Sequence, residues 1–216
     1  ESTMILHSPK VQEKLEELGV PVWVDLSSRE PEPLGRTEWI KAYAVLLGKE
    51  AQAEEVFAGQ KRYAEELAGV VNTEKTVAFF YVNSGGAIVT KKSADYIPKM
   101  IEMAGGRYVF SDLGDSETAS SSVTMDMETF YAAARDADYL IYNASIDEPL
   151  DSVDGLLFKN ELFADFKAVR EGNVWCTTKY LYQASSVNGE IVYDIHLMLT
   201  SGDGAAVEPT FLYKLY

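Results

Sequence analysis

The feature that most constrains this chain is a long helical pattern that lies between two groups of alternating strands and helices. Residues 37–71 carry the pattern, and as a single helix they would span roughly 50 Å at 1.5 Å per residue. A β-α-β pattern precedes them at residues 3–24, and a longer alternation begins at Thr76. A helix longer than one small domain needs is typical of a rigid connector, so we expect two lobes.

Helix-breaking residues subdivide this stretch. Two prolines and a glycine predict a loop over residues 27–36, with Thr37 as the N-cap of the helix that follows. Gly48 stands where a helix C-terminal glycine is expected, and a second helix of about 22 residues is predicted from Glu50. We therefore assign residues 1–26 to the end of an N-terminal lobe, 27–72 to a linker with lobe-spanning helices, and 73–216 to a C-terminal α/β lobe.

The C-terminal lobe is predicted to be of the α/β class. Residues 77–82 form a continuous apolar run, as expected for a strand that is buried on both faces. Further strands are predicted at residues 108–110, 139–142 and 174–176, with helical patterns between them. This alternation predicts a three-layer Rossmann-like lobe with a mainly parallel sheet.

Ligands of such sheets bind beyond the carboxyl ends of the strands, which selects the loops at residues 83–92, 112–123, 143–148 and 177–186. The candidate ligand-binding residues are Asn83, Ser84, Gly85, Lys92, Ser122, Thr124, Tyr180, Tyr182 and Gln183. Lys91, Lys92 and Lys179 flank this edge in a chain that is short of positive charge, which favours an anionic ligand. Tyr180 and Tyr182 are suited to stack on a flat ligand or to ligate iron as phenolates.

Composition and motifs exclude several other functions. The net charge of −15 disfavours nucleic-acid binding, and no apolar run approaches the ~18 residues of a membrane span. The sequence has no nucleophile elbow, Walker A loop, zinc-protease motif or paired-cysteine metal site, so we expect neither an enzyme nor a resident cofactor. Cys176 and His196 are expected to be buried or boundary residues, and the role of His7 is open.

Five short motifs resemble one family of binding proteins. They lie at residues 34–40 (LGRTEWI), 46–50 (LLGKE), 104–108 (AGGRY), 137–141 (ADYLI) and 166–174 (FKAVREGNV). Their order and spacing resemble the class III, helical-backbone substrate-binding proteins of ABC importers for ferric siderophores, haem and cobalamin. The resemblance covers nearly the whole chain.

This resemblance implies an extracytoplasmic protein, periplasmic or held at the cell surface by a lipid anchor. It would capture a small-molecule metal chelate, whose iron or cobalt belongs to the ligand, and deliver it to an ABC permease. Glu128 matches the family's permease-docking glutamate. Only the last β-α-β unit of the family's first lobe is present, so we expect the C-terminal part of a longer protein, with apolar surface uncovered around Ile5, Val22 and Trp23.

Two alternatives remain open at the level of sequence. One is a molybdate- or tungstate-type oxyanion-binding protein of the same family, for which the serines at 120–122 would supply hydroxyl groups. The other is a ligand-sensing domain with a related α/β fold. An enzyme would need a nucleophile and base, or a metal cluster, at the strand ends, and the sequence offers neither.

Overall fold

A mixed sheet of seven strands forms the centre of the fold in this computed structural model. The structure describes residues 4–6, 9–69, 72–114, 121–200 and 209–216. The strands are β1 Met4–Leu6, β2 Val22–Val24, β3 Thr76–Val82, β4 Ile88–Lys91, β5 Arg107–Tyr108, β6 Ser122–Met125, β7 Tyr139–Tyr142, β8 Val174–Thr177 and β9 Leu212–Lys214. The helices are α1 Pro9–Glu17, α2 Pro33–Leu47, α3 Glu50–Leu67, α4 Tyr96–Met103, α5 Met127–Ala134, α6 Val153–Lys159, α7 Lys167–Arg170 and α8 Asn188–Thr200.

The sheet is parallel at its centre and antiparallel at its edges. Its order is β6-β4-β3-β7-β8-β9, and β5 also pairs with β3. The pairs β3–β7, β7–β8 and β3–β5 are parallel, whereas β4, β6 and β9 join in antiparallel fashion. The predicted α/β class and parallel centre are confirmed.

Both faces of the sheet are covered by apolar side chains. On one face, Phe80 of β3 packs against Phe130 of α5 at 4.7 Å and against Phe163 at 5.4 Å, between ring centroids. On the other face, Phe79 and Ile141 meet apolar residues of α4 and α8. Successive residues of β3 therefore pack against helices on opposite faces of the sheet, as the apolar run at residues 77–82 predicts.

The predicted loop at residues 83–92 is largely a β-hairpin. Asn83 and Ala87 close a tight turn, and Ile88–Lys91 then pairs with β3 as the missed strand β4. The second predicted loop also ends early, because β6 begins at Ser122 and pairs with β4. Both corrections have one cause: the strands are only four residues long, and their glycine and serine neighbours resemble those of a ligand loop.

Helix α2 begins five residues earlier than predicted, since its N-cap is Glu32 and not Thr37. Pro33 occupies its first turn, where a fixed φ and a missing N–H are favourable, so the prediction of Thr37 as N-cap is wrong. Thr37 is instead buried, and its hydroxyl donates to the carbonyl of Ser185 at 2.9 Å. Gly48 does end the helix, with φ 63° and ψ 41°, and α3 follows from Glu50.

Helices α2 and α3 are docked on the start of α8. The Asn188 amide donates to the carbonyl of Pro33 at 2.8 Å, and the Glu190 N–H donates to the side-chain oxygen of Gln60 at 3.0 Å. Between these bonds, a Cβ placed on Gly189 would lie 2.1 Å from the backbone oxygen of Gln60. The crossing of α3 and α8 is therefore too close for any residue but glycine.

The segment before α2 forms a small separate sheet. Strands β1 and β2 pair in parallel, and Trp23 of β2 stacks on Trp39 of α2 at 6.1 Å between ring centroids. Val22 and Trp23 are half-buried, and α1 buries none of its residues. The side chain of Ile5 lies outside the described part of the chain, so the uncovered apolar surface predicted here stays a prediction.

Candidate ligand-binding site

The carboxyl ends of β3, β7 and β8 lie at one edge of the sheet, where Asn83, Asn143 and Thr177 stand. Strands β4 and β6 extend the same surface sideways. Their register pairs Val89 with Thr124 and Lys91 with Ser122. Directly paired residues project to the same side of a sheet, so the predicted Ser122 and Thr124 share a face with Lys91.

Four polar residues converge on this face: Lys91, Asp95, Asn143 and Tyr182, which we call the Lys91 cluster. The Asn143 amide donates to the Tyr182 hydroxyl at 2.9 Å. The Lys91 ammonium lies 5.1 Å from the centroid of the Tyr182 ring and 3.5 Å from a carboxylate oxygen of Asp95. A strand, a helix N-terminus and two loops thus each contribute one side chain.

Burial shifts the pKa values of two members of the Lys91 cluster. It lowers the pKa of Lys91, and the nearby Asp95 carboxylate only partly opposes this shift. Burial also raises the pKa of Tyr182 above its ordinary value. Tyr182 is therefore a neutral phenol at neutral pH, which suits stacking and hydrogen bonding better than the phenolate ligation of iron.

The linking helix reaches the same region through Arg36. Its guanidinium carbon lies 3.7 Å from the centroid of the Tyr96 ring, at the start of α4. The same side chain donates to the carbonyls of Ser28 and Glu30, each at 2.7 Å. Arg36 thereby holds the segment before α2 against the start of α4, next to the N-cap Asp95.

The remaining candidate residues lie around this centre. The side-chain oxygen of Asn83 accepts hydrogen bonds from the backbone N–H groups of Gly85 and Ala87, so it shapes the hairpin turn. Ser84 and Gly85 are exposed at the tip of that turn. The stem of Lys92 packs over Gly114, whose φ is +90°. Tyr180 and Gln183 are exposed beside Tyr182.

A second group of polar side chains, Tyr142, Asp147 and Lys159, stabilises the loop after β7. Both the Tyr142 hydroxyl and the Lys159 ammonium bond to the carboxylate of Asp147. Burial opposes ionisation of Asp147, yet these two partners hold its pKa below the usual range. The network anchors the loop that contributes Asn143.

Glu128 occupies the first turn of α5, where it is exposed. Asp126 caps this helix by accepting from the Thr129 N–H at 2.7 Å. Because Met125 pairs with Ile88, and Ile88 with Val82, α5 starts at the same edge of the sheet as the Asn83 turn. The predicted docking residue and the predicted ligand loops therefore share one edge.

Cys176 and His196 make contacts within the fold, outside the Lys91 cluster. Cys176 is fully buried, and His196 bonds to the carbonyl of Ala104 at 3.0 Å. His7, Ser116 and Ser120 lie outside the described residues. Within the residues that are described, no group of three or more His, Cys, Asp and Glu side chains could hold a metal ion. In that same part of the chain, no helix is long and apolar enough to cross a membrane.

The list of candidate residues drawn from the sequence lacks Lys91, Asp95 and Asn143. Lys91 and Val89 lie two residues apart in the short strand β4, so they project to the same face of the sheet, but this four-residue strand has no clear alternation of apolar and polar residues that would predict it. Asp95 is the N-cap of α4, accepting from the Ile97 N–H at 2.9 Å. Its position before an apolar helical run is a signal of the cap, but not of the ion pair with Lys91.

A sequence model described as "Periplasmic binding protein" matches residues 3–181, which is most of the chain. The chain belongs to the periplasmic binding protein family. The resemblance to class III binding proteins of ABC importers is thereby confirmed. Members of the family and the structures of similar fold are solute-binding proteins rather than enzymes.

The curated relatives include lipoproteins. An uncharacterised lipoprotein of Methanocaldococcus jannaschii is 28% identical over 198 residues, covering 88% of this chain and 45% of the relative. The chain spans about half the length of the curated relatives it matches. Family membership and the lipoprotein relatives support the predicted extracytoplasmic location.

Solved structures share the fold. A periplasmic haem-binding protein from Pseudomonas aeruginosa has a TM-score of 0.72 at 16% identity, covering 99% of this chain and 77% of that one. An ABC-type Fe³⁺-hydroxamate transport protein from Saccharomonospora viridis has a TM-score of 0.70 at 17% identity, covering 92% and 69%. At such identities the likeness establishes the fold.

Proposed function

We propose that the protein is the extracytoplasmic substrate-binding component of an ABC importer. It captures an iron chelate (a siderophore or haem) or a corrinoid between two lobes and delivers it to the permease. The observation that carries the proposal is the family match over residues 3–181. It is supported by neighbours described as haem-binding and Fe³⁺-hydroxamate transport proteins. The protein needs no resident cofactor, because the metal arrives within the ligand.

The Lys91 cluster and its surroundings form the C-terminal wall of the binding cleft in this proposal. Tyr182, Ser122 and Thr124 contribute aromatic and hydroxyl groups to the wall, and the exposed Tyr180 and Gln183 lie at its rim. A few convergent polar groups beside aromatic side chains fit a small-molecule ligand. The opposing wall would come from the N-terminal lobe, of which β1, α1 and β2 form a part.

Delivery requires contact with a permease. Glu128 is exposed in the first turn of a capped helix, at the same edge as the ligand loops, so a partner cation could reach both Glu128 and the helix end. We assign to Glu128 the docking of this lobe on the permease, with membrane association through a lipid anchor, as in the relatives named lipoproteins.

A thermal-shift panel tests the proposed ligand class on the intact protein. The probes are ferric siderophores, haem, cobalamin and molybdate. A ligand at 100 times its Kd stabilises the folded state by about 2.7 kcal/mol, so the cognate chelate should raise Tm by roughly 5–10 °C. The bound chelate should also remain as visible absorbance after desalting. A shift with molybdate alone would assign the oxyanion class instead, and no shift with any probe would contradict the proposal.

A further inference from the structure

Three lysines lie near the proposed cleft, but the structure gives them different positions. The Lys179 side chain is exposed and lies 5.3 Å from the ring of its neighbour Tyr180, measured from Nζ to the centroid. The aliphatic part of the Lys92 side chain packs against Gly114. Lys91 alone of the three projects from the sheet onto the face that it shares with Ser122 and Tyr182.

The Lys91 ammonium is withdrawn from water and only loosely paired. Its side chain is 13% exposed. Its contacts to the Asp95 carboxylate and to the Ser121 hydroxyl measure 3.5 Å and 3.4 Å, at the long end of the hydrogen-bond range. An ammonium has three donors, so Lys91 retains capacity for a closer acceptor.

The local charge favours an anion. Lys91 and Arg36 bring two cations to the start of α4, where the carboxylate of Asp95 contacts Lys91. One oxygen of Asp95 already caps α4 by accepting from the Ile97 N–H at 2.9 Å. A helix N-terminus adds further positive potential. The site therefore carries a positive balance within a chain of net charge −15.

We propose that Lys91 determines the specificity of the cleft, selecting metal chelates with a net negative charge by donating a hydrogen bond to an anionic ligand oxygen. This inference rests on the proposed function and narrows its ligand class. A cation held away from water attracts an opposite charge more strongly than a solvated one does, whereas it gains little from a neutral chelate. Tyr182 holds the amine over its ring, so the selecting charge is already in place before the ligand arrives.

Matched probes test this selection on the intact protein. One pair is haem, with its two free carboxylates, and haem dimethyl ester, in which both are masked. The other pair is a ferric tris-catecholate, which is anionic, and a neutral ferric tris-hydroxamate. Dissociation constants would be measured by fluorescence quenching for the wild type and for Lys91→Met, Lys91→Arg and Lys179→Met. The midpoint of thermal unfolding of each variant reports whether its fold is intact.

We expect the wild type to prefer the anionic member of the pair it binds by at least tenfold. Lys91→Met should weaken binding of the anionic member by about 10- to 100-fold and binding of its neutral partner by less than about threefold. Lys91→Arg, which keeps the positive charge, should retain most of the wild-type affinity for the anionic member. Lys179→Met, the matched control, should change neither member by more than about threefold.

Other outcomes would distinguish a failure of the proposed function from a failure of the proposed selection by Lys91. A wild-type preference for the neutral members, or an equal loss of both members in Lys91→Met, would overturn the selection by Lys91 while leaving chelate binding intact. If the wild type binds no member of either pair and no probe of the thermal-shift panel, the proposed function fails and the selection fails with it. If Lys91→Met does not fold, the comparison of wild type with Lys91→Arg and Lys179→Met remains, and a wild-type preference for the neutral members still overturns the proposal.

Discussion

At the residue scale, Asp138 explains why the motif at residues 137–141 (ADYLI) is built as it is. One of its carboxylate oxygens accepts from the backbone N–H and the hydroxyl of Thr76, at 2.7 Å and 2.8 Å. The other oxygen pairs with Lys167 at 2.6 Å. One side chain thus ties together the first residue of β3, the start of β7 and the start of α7.

This geometry predicts an acid-sensitive contribution to stability. Partial burial opposes ionisation of Asp138, but the bonds from Lys167 and Thr76 outweigh it and lower its pKa. A lowered pKa stabilises the fold above the unfolded value of about 3.9, and that stability is lost as the pH falls through the folded pKa. Asp138→Asn should lower the free energy of unfolding at pH 7 by about 1–2 kcal/mol, since the pair is partly screened by solvent.

Urea denaturation at pH 7 and at pH 3 would check this effect. The difference between wild type and Asp138→Asn should shrink at the lower pH. Asp136→Asn is the matched control, because Asp136 is exposed and forms its ion pair with its neighbour Arg135 at 3.2 Å; we expect a clearly smaller effect than that of Asp138→Asn. An Asp138→Asn effect of equal size at both pH values would contradict the role of its charge.

At the element scale, the two helices that the sequence suggests as a connector are fixed to the C-terminal lobe. Helix α2 is held by the bonds of Thr37 and Asn188, and α3 by the bond of Gln60 to the start of α8. Lys99 of α4 also pairs with Glu32, just before α2. The segment before α2 is held as well, by the hydrogen bonds of Arg36 and by the stacking of Trp23 on Trp39.

The close crossing of α3 and α8 gives a prediction with an internal control. In Gly189→Ala the new methyl group would lie 2.1 Å from the backbone oxygen of Gln60, which a side-chain rotation cannot relieve. We expect a loss of about 2–4 kcal/mol in the free energy of unfolding. In Gly155→Ala of α6 the nearest atom would lie 3.5 Å away, and that variant should be neutral or more stable by up to about 1 kcal/mol.

Chemical denaturation of the two alanine variants would measure both changes. Equal stability of Gly189→Ala and wild type would mean that α3 and α8 can separate at little cost. That result would contradict the assignment of α3 to the packed C-terminal lobe.

How far the sequence predicts the fold depends on the length of the element. The parallel strands β3, β7 and β8 are apolar runs, and their positions and the Gly48 break were predicted closely. Strands β4 and β6 were missed because four residues carry too little periodicity to outweigh the glycines and serines beside them. The start of α2 is not predicted correctly because Pro33 is a loop signal and is also favoured in the first helical turn, where the structure places it.

The candidate site, too, can be predicted only in part from local sequence. The strand-end rule selected Tyr182, and the family resemblance selected Glu128, from local sequence alone. Asn143 reaches Tyr182 only through a tertiary contact, which no spacing along the chain encodes. Asp95 is only four residues from Lys91, but their contact depends on where strand β4 ends and helix α4 begins. The place of Lys91 on the face likewise depends on strand β4, which the sequence pattern does not predict.

At the scale of the whole molecule, ligand capture and permease docking should be separable. Glu128 lies at the start of α5, on a different element from those that carry the Lys91 cluster. Glu128→Ala should therefore lower uptake of the chelate by cells at least tenfold, while the Kd for the chelate changes by less than about twofold. Glu50→Ala is the matched control, because Glu50 is also an exposed glutamate in a first helical turn; its uptake should be normal. Normal uptake by Glu128→Ala would contradict the docking role.

The central claim is that a metal chelate binds against the face that carries the Lys91 cluster. A bound ferric chelate is paramagnetic, so it should broaden the amide resonances of nearby residues in an NMR spectrum of the intact protein. We predict selective loss of signals from Lys91, Ser122 and Tyr182, with signals retained at Thr76 and Asp138, at the amino ends of β3 and β7. Broadening centred on Thr76 and Asp138, or no selective broadening at saturation, would contradict the claim.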